Sequence, residues 1–463
     1  MADAPESPGG DEPNPPLNKA IDAALAGRSA FITGEAGVGK TFLLKTLPAL
    51  LFDKSVVVTA LSGIAAVNAG GCTLHSFSGI GKGDESADAL IAGIRRKFPV
   101  VKRWRAADVL IIDEISMCSA DLLEKIEKIA RAVRGSAAFF GGIQVIAFGD
   151  LLQLPPVFKR LVTTHGFEDD SAAAAAEGAP DTRMCFESPL WANLDVHVLT
   201  KNYRQGEEDR KFISLLREIR RGRLSDASRA LIMTRIAPAS RPPAEITRLC
   251  GRNDTVRAIN ETELGRIAGD AAVFKMGRTY AKSGAQKFVP LKPGTQQWKR
   301  ADVYASGCIA DEELQLKVGA YVMLLKNLDV RGDCGEPLCN GSRGRVVRFE
   351  AGAGGVEFPV VQFDVVERRI EVDSWEVKFP NGDRLRLELP PLKLAWALTI
   401  HKSQGLTLES AMIAADESIF EDGQFYVAIS RVRALAGVHI TRFSPESVRA
   451  RRSVLDYYAA IGA

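Results

Sequence analysis

Residues 34–41 read Gly34-Glu35-Ala36-Gly37-Val38-Gly39-Lys40-Thr41 and carry the most specific pattern in the chain. They fit the phosphate-binding pattern GxxxxGK[ST] between an apolar, strand-like segment (29–33) and a helix-like one (41–47). Glycines let backbone N–H groups turn toward an anion, and the positive end of the helix dipole favours negative charge there. A chance glycine-rich turn is the alternative, but it would not need both flanking elements. We therefore predict a nucleoside triphosphate site formed by Gly34, Ala36, Gly37, Val38, Gly39, Lys40 and Thr41.

Carboxylates follow a second apolar segment, VLII at 109–112. At the end of a parallel strand, Asp113 would hold Mg²⁺ with the Thr41 hydroxyl, and Glu114 would activate the attacking water. The alternative is a solvated acidic turn, which does not explain the four apolar residues before the pair. A third apolar segment ends at Asp150, and Gln153 beyond it is a candidate sensor of the γ-phosphate.

The composition is that of an ordinary globular protein. The chain has 463 residues, enough for about three domains, with 46% hydrophobic and 25% charged residues. Its 60 basic and 57 acidic residues give a net charge of +3, so any nucleic-acid contact must come from a local channel. Seven cysteines without paired CxxC spacing predict reduced thiols in a cytosolic protein, and the close pair Cys334 and Cys339 is not expected to bind zinc. No apolar run approaches the length of a membrane span.

The spacing of apolar segments predicts an α/β protein with several parts. Continuous apolar strands alternating with helices indicate parallel sheets, whereas short alternating runs between Gly, Asn, Pro and Asp indicate an antiparallel barrel or sheet. The predicted parts are a disordered tail (1–16), a first α/β domain (17–190) with a mobile loop (159–183), a second α/β domain (191–267 and 391–463) and an inserted barrel-like domain (268–390). A basic helix is predicted over 444–460.

Two arginines are candidates for stabilising charge on a transferring phosphoryl group. Arg204 lies in NYRQ, just past the predicted first strand of the second domain, and Arg431 lies in YVAISRVR. A guanidinium supplied by a facing domain is worth roughly 10³–10⁵ in rate. Taken alone, each arginine fits a surface ion-pair partner better, and its place in the motif series below reverses that preference. Tyr203 could stack on the nucleotide base or simply pack against its neighbours.

Seven motifs occur in order along residues 18–443: GEAGVGKT, TALSGIAAVNAGGCTLHSF, DEISM, GDLLQLPPV, NYRQ, LAWALTIHKSQGLTLE and YVAISRVR. This series resembles superfamily 1B DNA helicases of the PIF type, relatives of the RecD-like enzymes. The resemblance implies two RecA-like P-loop domains with ATP bound between them. It also implies a small wedge insertion, matched by 78–105, and an SH3-like barrel, matched by 268–390.

The resemblance implies a role for each matching residue. Thr41 and Asp113 correspond to the magnesium ligands, and Lys40 corresponds to the phosphate-loop lysine. Glu114 corresponds to the catalytic base and Gln153 to the γ-phosphate sensor. Arg204 and Arg431 correspond to the two arginine fingers, and Gly405 to a residue near the nucleotide. One position departs from the pattern. Such helicases often carry an adenine-reading Gln where this chain has Leu17. Strict adenine preference is therefore not expected.

The DNA contacts are expected in two segments with hydroxyl, imidazole, lysine and aromatic side chains. Hydroxyls hold phosphates, and an aromatic ring offers a stacking platform. The candidates are Thr59, Ser62, His75, Phe77, Thr399, His401, Lys402 and Ser403. Phe77 could instead belong to the core, and His401 could cap a helix or belong to the core. The stretch 95–97 (RRK) could flank the strand path or be a solvated face.

The expected function is 5′→3′ translocation on single-stranded DNA with unwinding of partial duplexes, using ATP and Mg²⁺. The family further implies roles in DNA repair, recombination and telomere maintenance. We expect a monomer without membrane association, cytoplasmic and, in a bacterium, nucleoid-associated. One alternative is a DNA-stimulated translocase or remodelling ATPase that does not separate strands. A GTPase is the other alternative, but a guanine-reading [NT]KxD segment is not found.

Overall fold

The computed structural model describes residues 14–81, 83–156, 181–204, 209–236, 246–306, 308, 310–326, 328, 338, 342–352, 357–363, 366–379, 382–416 and 418–463. The chain forms two compact units. Unit 1 comprises Met1–Arg204 and Ser453–Ala463, and unit 2 comprises Gln205–Arg452.

Unit 1 is built on a parallel sheet of six strands in the order β3-β2-β4-β5-β1-β6. The strands are β1 Ala30–Gly34, β2 Val56–Ala60, β3 Cys72–Thr73, β4 Val109–Asp113, β5 Gln144–Phe148 and β6 Asp195–Leu199. Every residue of β1 and β5 is buried, as the continuous apolar runs predict for strands covered on both faces. In this order the carboxyl end of β5 lies between those of β4 and β1, which brings three of the predicted motifs to one edge.

Amphipathic helices surround this sheet. They are α1 Pro15–Leu25, α2 Lys40–Leu50, α3 Gly63–Asn68, α4 Leu74–Ser78, α5 Ala87–Arg95, α6 Phe98–Ala106 and α7 Ala120–Arg134. Short 3₁₀ turns lie at Ile115–Met117, Phe139–Gly142, Cys185–Glu187 and Pro189–Asn193. Leu43 and Leu47 of α2 are fully buried and join Ile32 and Phe148 in one core cluster. Packing of these leucines in the core therefore fixes the position of α2, which begins at the end of the phosphate loop.

The predicted wedge at 78–105 is helical. α5 and α6 cover most of it, and both pack against α7. Ser86 caps α5, since its Oγ accepts a hydrogen bond of 3.3 Å from the N–H of Ala89.

The predicted boundary between the two α/β domains at 190/191 is wrong. β6 pairs in parallel with β1 over its whole length, from Ala30↔Asp195 to Gly34↔Leu199, so it belongs to the first sheet. Residues 453–463 also belong to unit 1, not to the second domain. Most of them lie in the last helix, Arg452–Ala460, which begins later than the predicted 444.

Unit 2 contains a second parallel sheet, with four strands. Their spatial order is Ala397–Thr399, Thr247–Cys250, Ala411–Ala415 and Val438–Phe443. Its helices are Arg210–Arg220, Asp226–Met233, Asn253–Gly265 and Gln424–Ile429, with 3₁₀ turns at His401–Ser403, Leu435–Gly437 and Pro445–Ser447. The α/β fold class with parallel sheets is therefore confirmed.

Along the chain, the residues that form antiparallel sheets come between the first and second strands of unit 2's parallel sheet in sequence order, Thr247–Cys250 and Ala397–Thr399. Antiparallel pairing was predicted for this insertion. One sheet contains Val289–Pro290, Gly277–Ala281, Arg384–Leu389 and Asp373–Lys378. A second pairs Glu313–Leu316 with Ala272–Lys275, and a third contains Glu367–Arg369, Glu357–Phe363, Arg343–Ala351, Tyr321–Leu324 and Leu392–Leu394. The helix Gln296–Ser306 accompanies them. The predicted end at 390 is too early, because Leu392–Leu394 pairs antiparallel with Tyr321–Leu324.

Some predicted features fall outside the described residues, namely most of the mobile loop at 159–183, the Cys334 and Cys339 pair and residues 1–13 of the tail. The tail prediction is wrong at 14–16, where α1 already begins. Asn14 caps this helix, since its Oδ1 accepts a hydrogen bond of 3.4 Å from the N–H of Leu17. Within the described parts of the chain, no helix is long and apolar enough to cross a membrane.

Candidate functional site

The phosphate loop connects β1 to α2 with glycines in conformations that other residues rarely adopt. Gly34, Gly37 and Gly39 have φ angles of 146°, 89° and 90°. The Lys40 ammonium donates hydrogen bonds to the carbonyl oxygens of Gly34 at 2.7 Å and Glu35 at 2.9 Å. Its charge is therefore held over the loop, where the β- and γ-phosphates of a nucleotide would lie.

Gly34 also lies against the neighbouring strand. A Cβ at this position would come within 2.3 Å of the Leu199 carbonyl oxygen and 2.9 Å of Val38 Cγ2. Because β6 and the Val38 side chain both come this close to position 34, only glycine fits there.

The predicted carboxylate pair ends β4. Asp113 Oδ1 accepts a hydrogen bond of 2.9 Å from the N–H of Glu114. Burial and the adjacent Glu114 carboxylate raise the pKa of Asp113 to about 7, while Lys40 and Lys45 lower it. The positive charge of Lys40 thus offsets part of the rise in the pKa of Asp113.

Glu114 has a left-handed backbone, with φ 52° and ψ 44°. It is one of two non-glycine residues with positive φ in the described parts of the chain, the other being Phe140. Such a conformation costs of order 1–3 kcal/mol and is retained where the surroundings enforce it, commonly at active sites. It turns the chain sharply between β4 and the 3₁₀ turn Ile115–Met117.

The oxygen donors at this edge fit a magnesium ion. Thr41 is exposed at the first turn of α2, and Asp113 and Glu114 supply carboxylate oxygens, the ligand type that Mg²⁺ prefers. Clusters of three or more His, Cys, Asp or Glu residues suited to a metal do not occur among the described residues.

Asp150 and Gln153 follow β5. Asp150 is fully buried, and its Oδ1 accepts a hydrogen bond of 3.2 Å from the N–H of Leu152. The Gln153 N–H donates to the Asp150 carbonyl at 2.9 Å, which closes a tight turn. Gln153 is 7% exposed and lies at the same edge as the phosphate loop and the carboxylate pair.

Tyr203 and Arg204 lie in unit 1, and the prediction that Arg204 belongs to the second domain is wrong. The Tyr203 N–H donates to the Gly37 carbonyl at 2.8 Å, and its ring faces Gly39 at 3.5 Å from a Cβ built there. Its hydroxyl accepts a hydrogen bond of 2.7 Å from the Asn14 carboxamide. Asn14, not seen from the sequence, thus joins the start of α1 to the nucleotide region. Base stacking by Tyr203 stays a prediction.

Arg431 is 3% exposed in unit 2. Its Nε donates to the Val427 carbonyl at 3.0 Å, and its Nη2 donates to Ser430 Oγ at 2.9 Å. The guanidinium is therefore held against its own helix. Gly405 is exposed with φ 79°, a backbone conformation that favours glycine. The finger and nucleotide roles of both residues stay predictions.

Two of the predicted DNA contacts in unit 1 are wrong. Phe77 is fully buried and packs against Trp104, with ring centroids 4.6 Å apart, so it belongs to the core. Thr59 is also fully buried, and its hydroxyl donates to the Ile111 carbonyl at 2.7 Å. Ser62 and His75 are partly exposed and stay candidates, with burial lowering the pKa of His75.

Two predicted contacts in unit 2 are wrong for the same reason. Ser403 is fully buried and donates to the Ile400 carbonyl at 2.7 Å, and Thr399 is 4% exposed with its Oγ1 accepting from the Lys402 N–H at 3.2 Å. Both hydroxyls stabilise the turn. His401 lies 3.2 Å from Glu421, and burial with nearby Lys393 lowers the pKa of Lys402.

Residues 95–97 are exposed, as both readings of that stretch require. A stronger basic segment was missed. Residues 277–300 contain six Lys and Arg and no Asp or Glu. Five of the six are exposed: Lys282, Lys287, Lys292, Lys299 and Arg300. A charge count along the sequence would have found it.

The chain matches two family descriptions. Residues 16–230 match the family described as PIF1-like helicase, and residues 305–349 match the 2B domain of DNA helicase Pif1. The ATP-dependent DNA helicase PIF1 of Homo sapiens is 40% identical over 447 residues, which cover 95% of this chain and 62% of that protein. The chain therefore spans less than two thirds of that relative.

Solved structures of Pif1 helicases match nearly the whole chain. The crystal structure of Pif1 helicase from Candida albicans has a TM-score of 0.71 at 31% identity and covers 98% of this chain and 100% of that one. Pif1 helicase from Bacteroides in complex with ADP-AlF3 and ssDNA has a TM-score of 0.58 at 28% identity, covering 98% of each chain.

Proposed function

Because the chain belongs to the PIF1-like helicase family, we propose that it is an ATP-dependent DNA helicase that moves 5′→3′ along single-stranded DNA. The observation that carries the proposal is the convergence of three motifs at one edge of the unit 1 sheet. The phosphate loop follows β1, the carboxylate pair follows β4, and Gln153 follows β5 between them. The Bacteroides relative, bound to ADP-AlF3 and single-stranded DNA, supports both ligand classes.

Each residue of the edge has a distinct task in hydrolysis. Lys40 neutralises the β- and γ-phosphates, and releases the Gly34 and Glu35 carbonyls as it does so. Glu114 takes the proton of the attacking water, and Gln153 contacts the γ-phosphate end of the nucleotide. Thr41 and Asp113 would hold Mg²⁺, which neutralises charge on the phosphates when bound.

Arg204 and Arg431 are proposed to stabilise the developing charge on the phosphoryl group. For Arg431 this requires that the guanidinium exchange its hydrogen bonds to Val427 and Ser430 for a phosphate oxygen. Fixed guanidinium groups suit phosphates because they present several donors in a plane. Leu17 at the usual glutamine position leaves adenine without that partner, so other nucleoside triphosphates should also be hydrolysed.

We propose that the insertion positions DNA rather than supporting hydrolysis, since it carries none of the nucleotide motifs. Its basic stretch 277–300 supports a contact with the phosphate backbone. Two of its aromatic rings each pack against an arginine, with Arg278 4.4 Å from the Trp298 centroid and Arg386 3.8 Å from that of Phe288. The exposed lysines are therefore the groups that we propose for the DNA contact.

Two partial duplexes of identical sequence test the proposal, one with a 5′ single-stranded tail and one with a 3′ tail. The 5′-tailed duplex should be unwound only with ATP and Mg²⁺, and the 3′-tailed one should be spared. Equal unwinding or preference for the 3′ tail would overturn the polarity. ATP hydrolysis without strand separation would support the remodelling ATPase instead. Light scattering of the DNA-bound protein tests the expected monomer.

A further inference from the structure

A tyrosine hydroxyl from the last helix lies beside the proposed hydrolysis site. Tyr458 is 3% exposed, on the helix Arg452–Ala460. Its hydroxyl is 2.6 Å from Thr33 Oγ1, 3.2 Å from the backbone nitrogen of Leu151 and 3.3 Å from Asp150 Oδ1. All of these groups belong to unit 1.

The Tyr458 hydroxyl contacts groups that follow two different strands. A tyrosine hydroxyl can donate one proton and can also accept hydrogen bonds. The Leu151 N–H donates to it, and the Asp150 carboxylate lies 3.3 Å away as an acceptor. The contact with the Thr33 hydroxyl is shorter, at 2.6 Å, and either hydroxyl can be its donor.

This arrangement joins the two loops that must act on the same phosphate. Thr33 directly precedes Gly34, the first residue of the phosphate loop. Asp150 and Leu151 begin the turn that carries Gln153, and the Asp150 carboxylate also holds the Leu152 N–H at 3.2 Å. One hydroxyl thus links the end of β1 to the start of the Gln153 turn, in addition to the backbone pairing of β1 with β5.

We propose that Tyr458 is a positioning residue for ATP hydrolysis, which keeps Gln153 in register with a phosphate held by residues 34–41. It acts through Thr33 and Asp150 and does not touch the nucleotide. The inference rests on the proposed function. It predicts that loss of the hydroxyl lowers turnover more than it lowers nucleotide binding, because the phosphate loop itself remains.

The neighbouring residue provides a matched control. Tyr457 lies on the same helix, and its hydroxyl accepts a hydrogen bond of 2.9 Å from Trp191 Nε1. Trp191 lies in the 3₁₀ turn Pro189–Asn193, which precedes β6 and carries none of the three motifs. Tyr457→Phe and Tyr458→Phe therefore each remove one hydroxyl from the same helix, but only the second removes it from the phosphate-loop network.

The experiment compares both variants with the wild-type protein by thermal unfolding and by ATP hydrolysis at saturating single-stranded DNA. Both should lower Tm slightly. Tyr458→Phe should lower kcat about tenfold or more with KM for ATP nearly unchanged, since small misplacements of reacting groups are costly. Tyr457→Phe should keep the wild-type kcat. Equal kcat in the two variants, or a change in KM alone, would overturn the inference.

Thr33→Val provides a second route if Tyr458→Phe does not fold. It removes the partner hydroxyl and should also lower kcat. An unchanged kcat in Thr33→Val would count against the inference even without the Tyr458 variant. When both single variants fold, the combined loss in the double variant should be smaller than the product of the single losses, because both act through one network. Multiplicative losses would overturn the inference. A wild-type protein without DNA-stimulated hydrolysis would instead reject the proposed function, so the two failures are distinguishable.

Discussion

Phe77→Ala should destabilise unit 1 strongly without removing a DNA contact. Phe77 is fully buried, and its ring packs 4.6 Å from that of Trp104 in α6. Truncating a buried phenylalanine costs about 3–5 kcal/mol, through lost transfer energy and the cavity left behind. In a unit of this size, each kcal/mol lowers Tm by about 2–4 °C. The expected fall in Tm is therefore about 6–20 °C.

Thermal unfolding and single-stranded DNA binding separate the core role from a stacking role. Phe52 is 87% exposed in the same unit, so Phe52→Ala should leave Tm unchanged and is the matched control. Phe77→Leu keeps most of the apolar volume and should recover most of the stability with wild-type affinity for DNA. If the ring stacked on a base, Phe77→Leu would weaken DNA binding by about 5- to 150-fold. That weakening, with Tm unchanged in Phe77→Ala, would refute the core assignment.

The hydrolysis residues and the insertion give separate expectations. Glu114→Gln should abolish ATP hydrolysis while fluorescent nucleotide still binds, and near-normal turnover would reject Glu114 as the base. Arg204→Ala and Arg431→Ala should each lower kcat at least about 100-fold with little change in nucleotide affinity, and a loss of affinity alone would make that arginine a binding residue. Lys282→Glu with Lys287→Glu should weaken duplex binding and flatten its salt dependence, with DNA-stimulated hydrolysis unchanged. Unaltered duplex binding would exclude this basic surface.

The sequence was most informative where a local pattern determines local structure. The order strand, glycine loop and helix around Lys40 is confirmed, because it depends on neighbouring residues only. The apolar runs before Asp113 and Asp150 are confirmed as parallel strands for the same reason. Antiparallel strands also occur within the predicted insertion, where alternation and turn residues are local signals. Its barrel-like form stays a prediction.

The sequence did not predict contacts between residues that lie far apart along the chain. The run at 195–199 has the composition of a strand, but nothing in it tells whether it extends the first sheet or starts a second one. Thr59, Phe77 and Ser403 lie in motifs associated with DNA, yet all three are fully buried. A motif contains residues that shape its backbone as well as residues that contact a ligand, and only burial distinguishes them. Tyr458 was missed because its partners lie more than 300 positions away along the chain.

Unit 1 is discontinuous, and this has a consequence for the order of synthesis and folding. Residues 205–452 are made between the first 204 residues and the helix that completes the unit. At about 5–20 residues per second, a ribosome needs tens of seconds for that stretch. During this interval the first sheet can form, but the Tyr458 hydroxyl that bonds to Asp150 and Thr33 has not yet been made. A nascent chain therefore acquires its complete hydrolysis edge last, after the whole of unit 2 has been synthesised.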